Sequence, residues 1–232
     1  MCRWLEARFP RHRRLWRQVA SGVPDDDLSH DRDHLARVYR WALRLAREAG
    51  ADPDLAGAAA LLHDLVSVPK EDAGRREAGE RSAASALQPL LDAGYAQAQA
   101  RDVMEAVRTS SWSSGLEPTG PLGRVLQDAD RLDAIGAIGI ARTLCCAQGM
   151  VHRGRPLRLY HDTDLRALRR EPQESRYAVD HFHTKLLKLA AGMHLPAAQE
   201  EAARRQRRMI RFLGELAIEV GQQPDEQPPD AV

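Results

Sequence analysis

The chain contains few cysteines, few aromatic residues and no long uninterrupted apolar run. Only 5% of its 232 residues are aromatic, and its three cysteines are Cys2 and the adjacent pair Cys145 and Cys146. An odd number of cysteines with two in sequence excludes a disulfide framework and fits a reducing compartment. No segment approaches the roughly 18 consecutive apolar residues of a membrane span, and the first twenty residues lack the apolar centre of a secretory signal. The sequence therefore predicts a soluble, cytoplasmic protein.

The chain also lacks a strong net charge, because 34 lysines and arginines nearly balance 33 aspartates and glutamates. This balance excludes a general electrostatic attraction to nucleic acids or to an anionic membrane. A nucleic-acid-associated protein that uses the arginine-rich first and last helices is a less favoured alternative, and no membrane partner is expected. Any specificity for an anion must be local.

The remaining composition favours helices, because alanine, leucine and arginine are abundant and no convincing strand pattern occurs. Apolar residues recur every three or four positions in 31–49, and the segment DLAGAAALLHDLV is apolar on every side, as expected of a central helix. The same spacing continues from Leu122 through Asp130 to Ala141. We predict an all-α protein with a single helical-bundle domain at 21–220, a basic N-terminal helix at 1–20 and a disordered tail at 221–232.

Two histidines and two carboxylates interrupt the apolar helices. They are His34, the pair His63 and Asp64, and Asp130. Burial of such groups is unfavourable unless they are hydrogen-bonded, neutralised or bound to a metal. Each one alone is explained by a core histidine, a helix cap or an ion pair. Together, mixed nitrogen and oxygen ligands suit one divalent ion such as Mn²⁺, Mg²⁺, Co²⁺, Ni²⁺, Fe²⁺ or Zn²⁺.

The order of these residues resembles the HD-domain superfamily of metal-dependent phosphohydrolases. The motifs are SHDRDHLARV, AALLHDLVSVPK, LQDADRLDAIGAIGIAR and a distal YAVDHFHTKLLKLAAGM. Over about residues 20–220 they resemble the YedJ-like stand-alone branch, which includes nucleotide pyrophosphohydrolases. The resemblance implies that His34, His63, Asp64 and Asp130 hold a metal ion that activates water. It also implies a substrate that is a nucleotide or a similar small phosphate compound, with hydrolysis of a nucleoside triphosphate to monophosphate and pyrophosphate, or dephosphorylation, as the favoured reactions. Because no histidine lies between Leu65 and Ala129, a single ion is expected.

Hydrolysis of a phosphate compound also requires positive charge near the phosphate. Lysine is scarce in this arginine-rich chain, and Lys70, Lys185 and Lys188 lie in the motif segments, Lys70 just after the pair His63 and Asp64. We assign Lys70, together with Asp64, to the catalytic group. Lys70, Lys185, Lys188 and His181 are the candidate substrate-binding residues, although solvated lysines at helix ends are the alternative.

Several neighbours of the ligands have expected roles. Asp31 is expected to begin a helix, Asp128 to orient a ligand, and Arg37 and Arg131 to form structural ion pairs. At the loop where the YedJ-like branch reads HSFS, this chain has SSWS, so Ser110 replaces a histidine. That departure motivates the alternative of a weakly active or non-catalytic nucleotide-binding regulatory module. A monomer and a homodimer are both compatible with the sequence.

Overall fold

The computed structural model describes residues 5–23, 27–66, 77–163 and 165–222. The α-helices in these ranges are α1 (Pro10–Val19), α2 (Arg32–Ala49), α3 (Pro53–Leu62), α4 (Ala78–Ala93), α5 (Gln97–Arg108), α6 (Pro121–Asp133), α7 (Gly136–His152), the short α8 (Leu187–Leu189) and α9 (Pro196–Glu219). A π-helical turn, Phe182–Leu186, leads directly into α8. In the described ranges, extended pairing is limited to an isolated bridge between Arg158 and Tyr177. The predicted all-α helical bundle is confirmed.

Helices α2 and α3 form the centre of the bundle. Helix α2 buries one face, from Leu35 to Leu45, while α3 buries every residue from Ala56 to Leu62. The prediction of a central, all-round apolar helix is therefore confirmed for α3. Asp31 caps α2 as expected, because its carboxylate accepts a hydrogen bond of 2.8 Å from the backbone N–H of His34. This cap fixes the first turn of α2, which carries the first histidine of the candidate site.

Helix α1 packs into the same bundle. Its buried His12 lies with Nδ1 2.8 Å from the Tyr39 hydroxyl and with Nε2 2.8 Å from the carbonyl oxygen of Asp54, so it links α1 to α2 and α3. Arg11 adds an ion pair with Asp54. Within the predicted N-terminal helix at 1–20, α1 begins at Pro10, since proline is favoured in the first turn, where no intrahelical N–H is needed. The predicted domain boundaries stay predictions, and residues 1–4 and 223–232 of the predicted termini lie outside the described ranges.

Helix α3 ends at Leu62, four residues before the end of the apolar segment that predicted it. His63 occupies the C-cap position, and its Nδ1 lies 2.9 Å from the carbonyl oxygen of Ala60. The imidazole thereby satisfies a carbonyl that has lost its helical partner at the C-terminus. This early stop places His63 and Asp64 in a turn, where their side chains are directed away from the helix axis.

The predicted helical spacing from Leu122 to Ala141 is interrupted. Helices α6 and α7 are separate and are bent by 71° relative to each other. Gly136 begins α7 with φ of +78°, a conformation that side chains with a Cβ rarely adopt. Ala137 and Ala141 therefore do not extend the face that carries Asp130. No single helix in the described ranges is long and apolar enough to cross a membrane, and α6 and α7 reach that length and composition only as this bent pair.

Candidate metal centre

Helices α2 and α6 and the turn after α3 bring the predicted ligands together. One ligand atom from each of His34, His63 and Asp130 lies within 4.8 Å of the other two. The two Nε2 atoms of the histidines are 3.3 Å apart. Oδ1 of Asp130 lies 3.9 Å from Nε2 of His34 and 3.7 Å from Nε2 of His63. Asp64 adjoins this group, with Oδ2 3.4 Å and 3.5 Å from the same two nitrogens. We call these four residues the His/Asp cluster.

The partners of the opposite ring nitrogens define which atoms face the centre of the cluster. Nδ1 of His34 lies 2.7 Å from the carboxylate of Asp133, and Nδ1 of His63 lies against the carbonyl oxygen of Ala60. Both partners only accept hydrogen bonds, so each Nδ1 carries the hydrogen. When both imidazoles are neutral, their Nε2 atoms direct lone pairs at each other and at two carboxylates. In that state four acceptors converge without a donor between them, and such a group binds a cation, either a proton on His63 or a metal ion.

The electrostatics of the cluster agree with this geometry. Burial alone would lower the pKa of His63, but the carboxylates of Asp64 and Asp130 outweigh it and raise that pKa to about 9. Burial acts to raise the pKa values of Asp64 and Asp130, yet the attraction of His63 and His34 holds both below the ordinary range. In the metal-free protein a proton on His63 thus supplies the positive charge that the cluster attracts. The donor set of two imidazoles and two carboxylates fits a divalent ion equally well.

Asp133 supports the cluster from behind. Its side chain is 1% exposed and accepts hydrogen bonds from Nδ1 of His34 (2.7 Å), Nε of Arg37 (2.6 Å) and Nη1 of Arg142 (2.9 Å). Burial would raise the pKa of Asp133, but the hydrogen bonds from His34 and Arg37 hold it well below its usual value. The ionised carboxylate fixes both the orientation and the tautomer of His34. The predicted ion pair of Arg37 is confirmed, and its partner is Asp133.

The prediction that Asp128 orients a ligand is wrong. Two positions before Asp130 on α6, Asp128 faces the opposite side of the helix, where it accepts hydrogen bonds from the backbone N–H groups of His194 (3.0 Å) and Leu195 (2.8 Å). Sequence reasoning missed Asp133, although a signal was available. Asp133 follows Asp130 by one helical turn and therefore shares its face.

A cavity of about 130 Å³ opens beside the cluster. Polar and aromatic residues on its wall, besides His63, Asp64 and Asp130, include His30, Ser110, Ser111, Trp112, Arg142, Cys146, His181 and Lys185. The side chain of Asp64 is 39% exposed, so this carboxylate is accessible from the cavity, whereas His34 lies behind it and is buried. The cluster therefore forms the floor of a solvent-accessible cleft.

The structure brings only some of the predicted substrate residues to this cavity. Lys185 and His181 line it, and Nδ1 of His181 also lies 2.7 Å from a carboxylate oxygen of Glu174. Lys188 is exposed and is not among the described residues that line the cavity. Lys70 lies outside the described residues.

Two arginines near the cavity differ from expectation. Arg142, which the sequence did not indicate, lines the cavity while bonded to Asp133, and so places a cation beside the cluster. Arg131 was expected to form an ion pair, but it donates from Nη1 to the carbonyl oxygen of Gly192 (2.6 Å) and lies with its guanidinium 5.0 Å from the centre of the Trp112 ring.

Ser110 is buried and donates to the carbonyl oxygen of Val107 (2.8 Å).

Comparisons with known proteins agree with the geometry. The sequence profile of the HD domain matches residues 32–135. The Bacillus subtilis protein YpgQ, which is itself uncharacterized, is 32% identical over 211 residues, which cover 89% of this chain and 91% of YpgQ. The crystal structure of YpgQ in complex with ADP matches with a TM-score of 0.65 and 27% identity, over 91% of this chain and 98% of that one.

Two further solved structures are similar over nearly their whole length. A protein from Lactobacillus plantarum has a TM-score of 0.71 and 29% identity, covering 93% of this chain and 98% of that one. An HD-superfamily hydrolase from Bacillus thuringiensis has a TM-score of 0.59 and 27% identity, covering 90% and 100%. The chain belongs to the HD-domain superfamily, as its motifs predict. It has the fold of the HD-superfamily hydrolases and carries a His/Asp cluster suited to a divalent metal.

Proposed function

We propose that this protein is a metal-dependent phosphohydrolase that acts on nucleotides or similar small phosphate compounds. The observation that carries the proposal is the convergence of two imidazoles and two carboxylates on the floor of a cavity that Arg142 and Lys185 also line. A cation-binding cluster next to cationic side chains is an arrangement suited to a phosphate group, because a cation held by the cluster and the cationic side chains would both attract negative charge. The favoured reactions are hydrolysis of a nucleoside triphosphate to monophosphate and pyrophosphate, or dephosphorylation.

Each residue has a role in this proposal. His34, His63, Asp64 and Asp130 would hold one divalent ion, which when bound lowers the pKa of a coordinated water and polarises a phosphoryl oxygen. The carboxylate of Asp64 lies at the edge of the group and is accessible from the cavity, so it is placed to orient the attacking water. Arg142 and Lys185, which line the same cavity, are placed to neutralise charge on the phosphate. Lys70 keeps its proposed catalytic and phosphate-binding role from the sequence.

Two observations support a nucleotide as the substrate. YpgQ, which is similar along nearly the whole chain, was crystallised in complex with ADP. Within this chain, the cavity has both cationic side chains for phosphates and an aromatic side chain on its wall.

The test is a metal-by-substrate screen on the purified protein. Mn²⁺, Mg²⁺, Co²⁺, Ni²⁺, Fe²⁺ and Zn²⁺ are each combined with a panel of nucleotides, and the products are identified by mass spectrometry. We expect turnover with at least one pair, and we expect Asp64→Ala to abolish it. Asp92 on α4 provides a matched control, because it is exposed and its carboxylate accepts a hydrogen bond from Gln88 and not from a residue of the cluster. Asp92→Ala removes the same group without changing the site. Absence of turnover with every pair would refute the proposed hydrolase.

A non-catalytic or weakly active nucleotide-binding regulatory module is the second candidate. Ser110 favours it, because a buried hydroxyl that is already bonded to Val107 brings no positive charge to the loop beside the cavity. Binding of nucleotide and metal without product formation, measured on the same preparations by calorimetry, would favour this module over the hydrolase.

A further inference from the structure

We propose that Trp112 provides the surface on which the base of a bound nucleotide stacks, an inference that rests on the proposed function. Trp112 lines the same cavity as His63, Asp64 and Asp130, and it keeps 37% of its surface exposed. Among the described residues that line this cavity, it is the one Phe, Tyr or Trp side chain. A large indole that packing alone would bury is therefore exposed on the wall of the candidate site.

The indole is held in place on the side away from solvent. The guanidinium of Arg131 lies 5.0 Å from the ring centre, and Arg131 is itself only 8% exposed and anchored to the carbonyl oxygen of Gly192 by a bond of 2.6 Å. Gly192 lies against the same ring, since a Cβ at this position would be in ordinary van der Waals contact, 3.4 Å from Cζ3 of Trp112. A ring fixed in this way loses little conformational freedom when a ligand stacks on it.

Arg131 carries a local penalty for this position. Its Nε is buried and has no hydrogen-bond partner among the described residues. A buried donor without a partner is unfavourable, and such departures are expected mainly at functional sites. We assign Arg131 a positioning role: it supports one face of Trp112 and does not itself contact the ligand.

The cavity then recognises the two ends of a nucleotide by different chemistry. Arg142, Lys185 and a metal ion held by the His/Asp cluster would attract the phosphates, while Trp112 offers a flat surface to the base. Stacking on an aromatic side chain accepts any base, because every base has a π face. The ligand class is therefore nucleotides in general, and base-free polyphosphates lack one of the two contacts.

The experiment compares ligands with and without a base. Binding of ADP and of inorganic pyrophosphate, each with Mn²⁺, is measured by isothermal titration calorimetry for the wild type, Trp112→Ala and Trp112→Phe. We expect Trp112→Ala to raise the Kd for ADP by about 5- to 150-fold and to change that for pyrophosphate by less than about twofold. Trp112→Phe retains a stacking surface, so most of the ADP affinity should remain.

Trp41 on α2 provides the matched control. It also lies against guanidinium groups, those of Arg44 (4.8 Å) and Arg205 (5.5 Å), but it is not among the described residues of the cavity wall. Trp41→Ala removes the same indole and should leave the Kd for ADP unchanged. Thermal melting of all variants checks that each one is folded.

The outcomes separate this inference from the proposed hydrolase. Equal weakening of ADP and pyrophosphate by Trp112→Ala, no weakening of either, or no ADP binding by the wild type would overturn the stacking role. If ADP binding depends on Trp112 but no nucleotide is hydrolysed, stacking stands and the hydrolase is rejected. If ATP and inorganic triphosphate are hydrolysed and their KM values respond equally to Trp112→Ala, the hydrolase stands and stacking is rejected.

Discussion

Replacement of Asp133 by asparagine tests how strongly the metal centre depends on a residue that does not bind the metal. The asparagine side chain would keep the volume and one acceptor oxygen, but it removes the negative charge and replaces an acceptor by an N–H₂ donor. In the wild type the two carboxylate oxygens receive hydrogen bonds from His34, Arg37 and Arg142. At least one of these donors therefore loses its partner.

The expected effect has two parts. Loss of the carboxylate that orients a ligating histidine lowers metal affinity by about 10- to 100-fold. Removal of one partner from a buried ion pair destabilises a protein by roughly 3–5 kcal/mol, and we expect the lower end because Arg37 is 25% exposed and regains some hydration. The loss of metal affinity must therefore be measured under conditions in which the variant is fully folded.

Asp128→Asn is the control for this measurement. Asp128 lies on the same helix and is also buried, but its carboxylate bonds to the backbone of His194 and Leu195 instead of to a candidate ligand. Titration with Mn²⁺ against a competing chelator should show weaker binding for Asp133→Asn alone, while urea denaturation should show reduced stability for both variants. Equal metal affinities of Asp133→Asn and Asp128→Asn would refute the proposed support of His34 by Asp133.

Three further results are expected. Metal affinity should rise about tenfold per pH unit from pH 6.5 to about 9, because the pKa of His63 is raised to about 9 and a binding ion must displace its proton. Calorimetry in buffers of different ionisation enthalpy counts the released proton, and an affinity that does not change with pH would contradict the role of His63 as a ligand. Gly57→Ala should lower the free energy of unfolding by about 1–3 kcal/mol without changing metal affinity, because the new Cβ collides with His12 and lies 2.9 Å from the Tyr39 ring. An unchanged midpoint of urea denaturation would show that the core adapts to the added methyl group. Burial raises the pKa of Tyr39 from 10.0 to about 12, so the contribution of its neutral hydroxyl to stability is complete below pH 10 and is lost between pH 10 and 12. Tyr39→Phe should flatten the change of the denaturation midpoint with pH across that interval, and an unaltered slope would argue against this role.

The sequence by itself determined the family, the helical class and the identity of the candidate ligands. These are local or additive properties. A period of three to four residues predicts a helix, and a histidine or aspartate on its apolar face can be recognised from the sequence without knowledge of the tertiary contacts. His34, His63 and Asp130 could be singled out for this reason, and the cap at Asp31 followed from its position before an apolar helix. The ordered motifs then supplied the resemblance to the HD-domain superfamily.

Only the tertiary structure decided which side chains act on those ligands. Asp128 and Asp133 are both aspartates close to Asp130 in the sequence, and their roles differ because one faces the turn at His194 and the other faces His34 across the contact between α2 and α6. Likewise, Lys185 reaches the cavity and Lys188 does not. Spacing within α6 indicates which of the two aspartates shares the face of Asp130, but the partner that each side chain meets depends on where helices cross and break, which long-range packing sets.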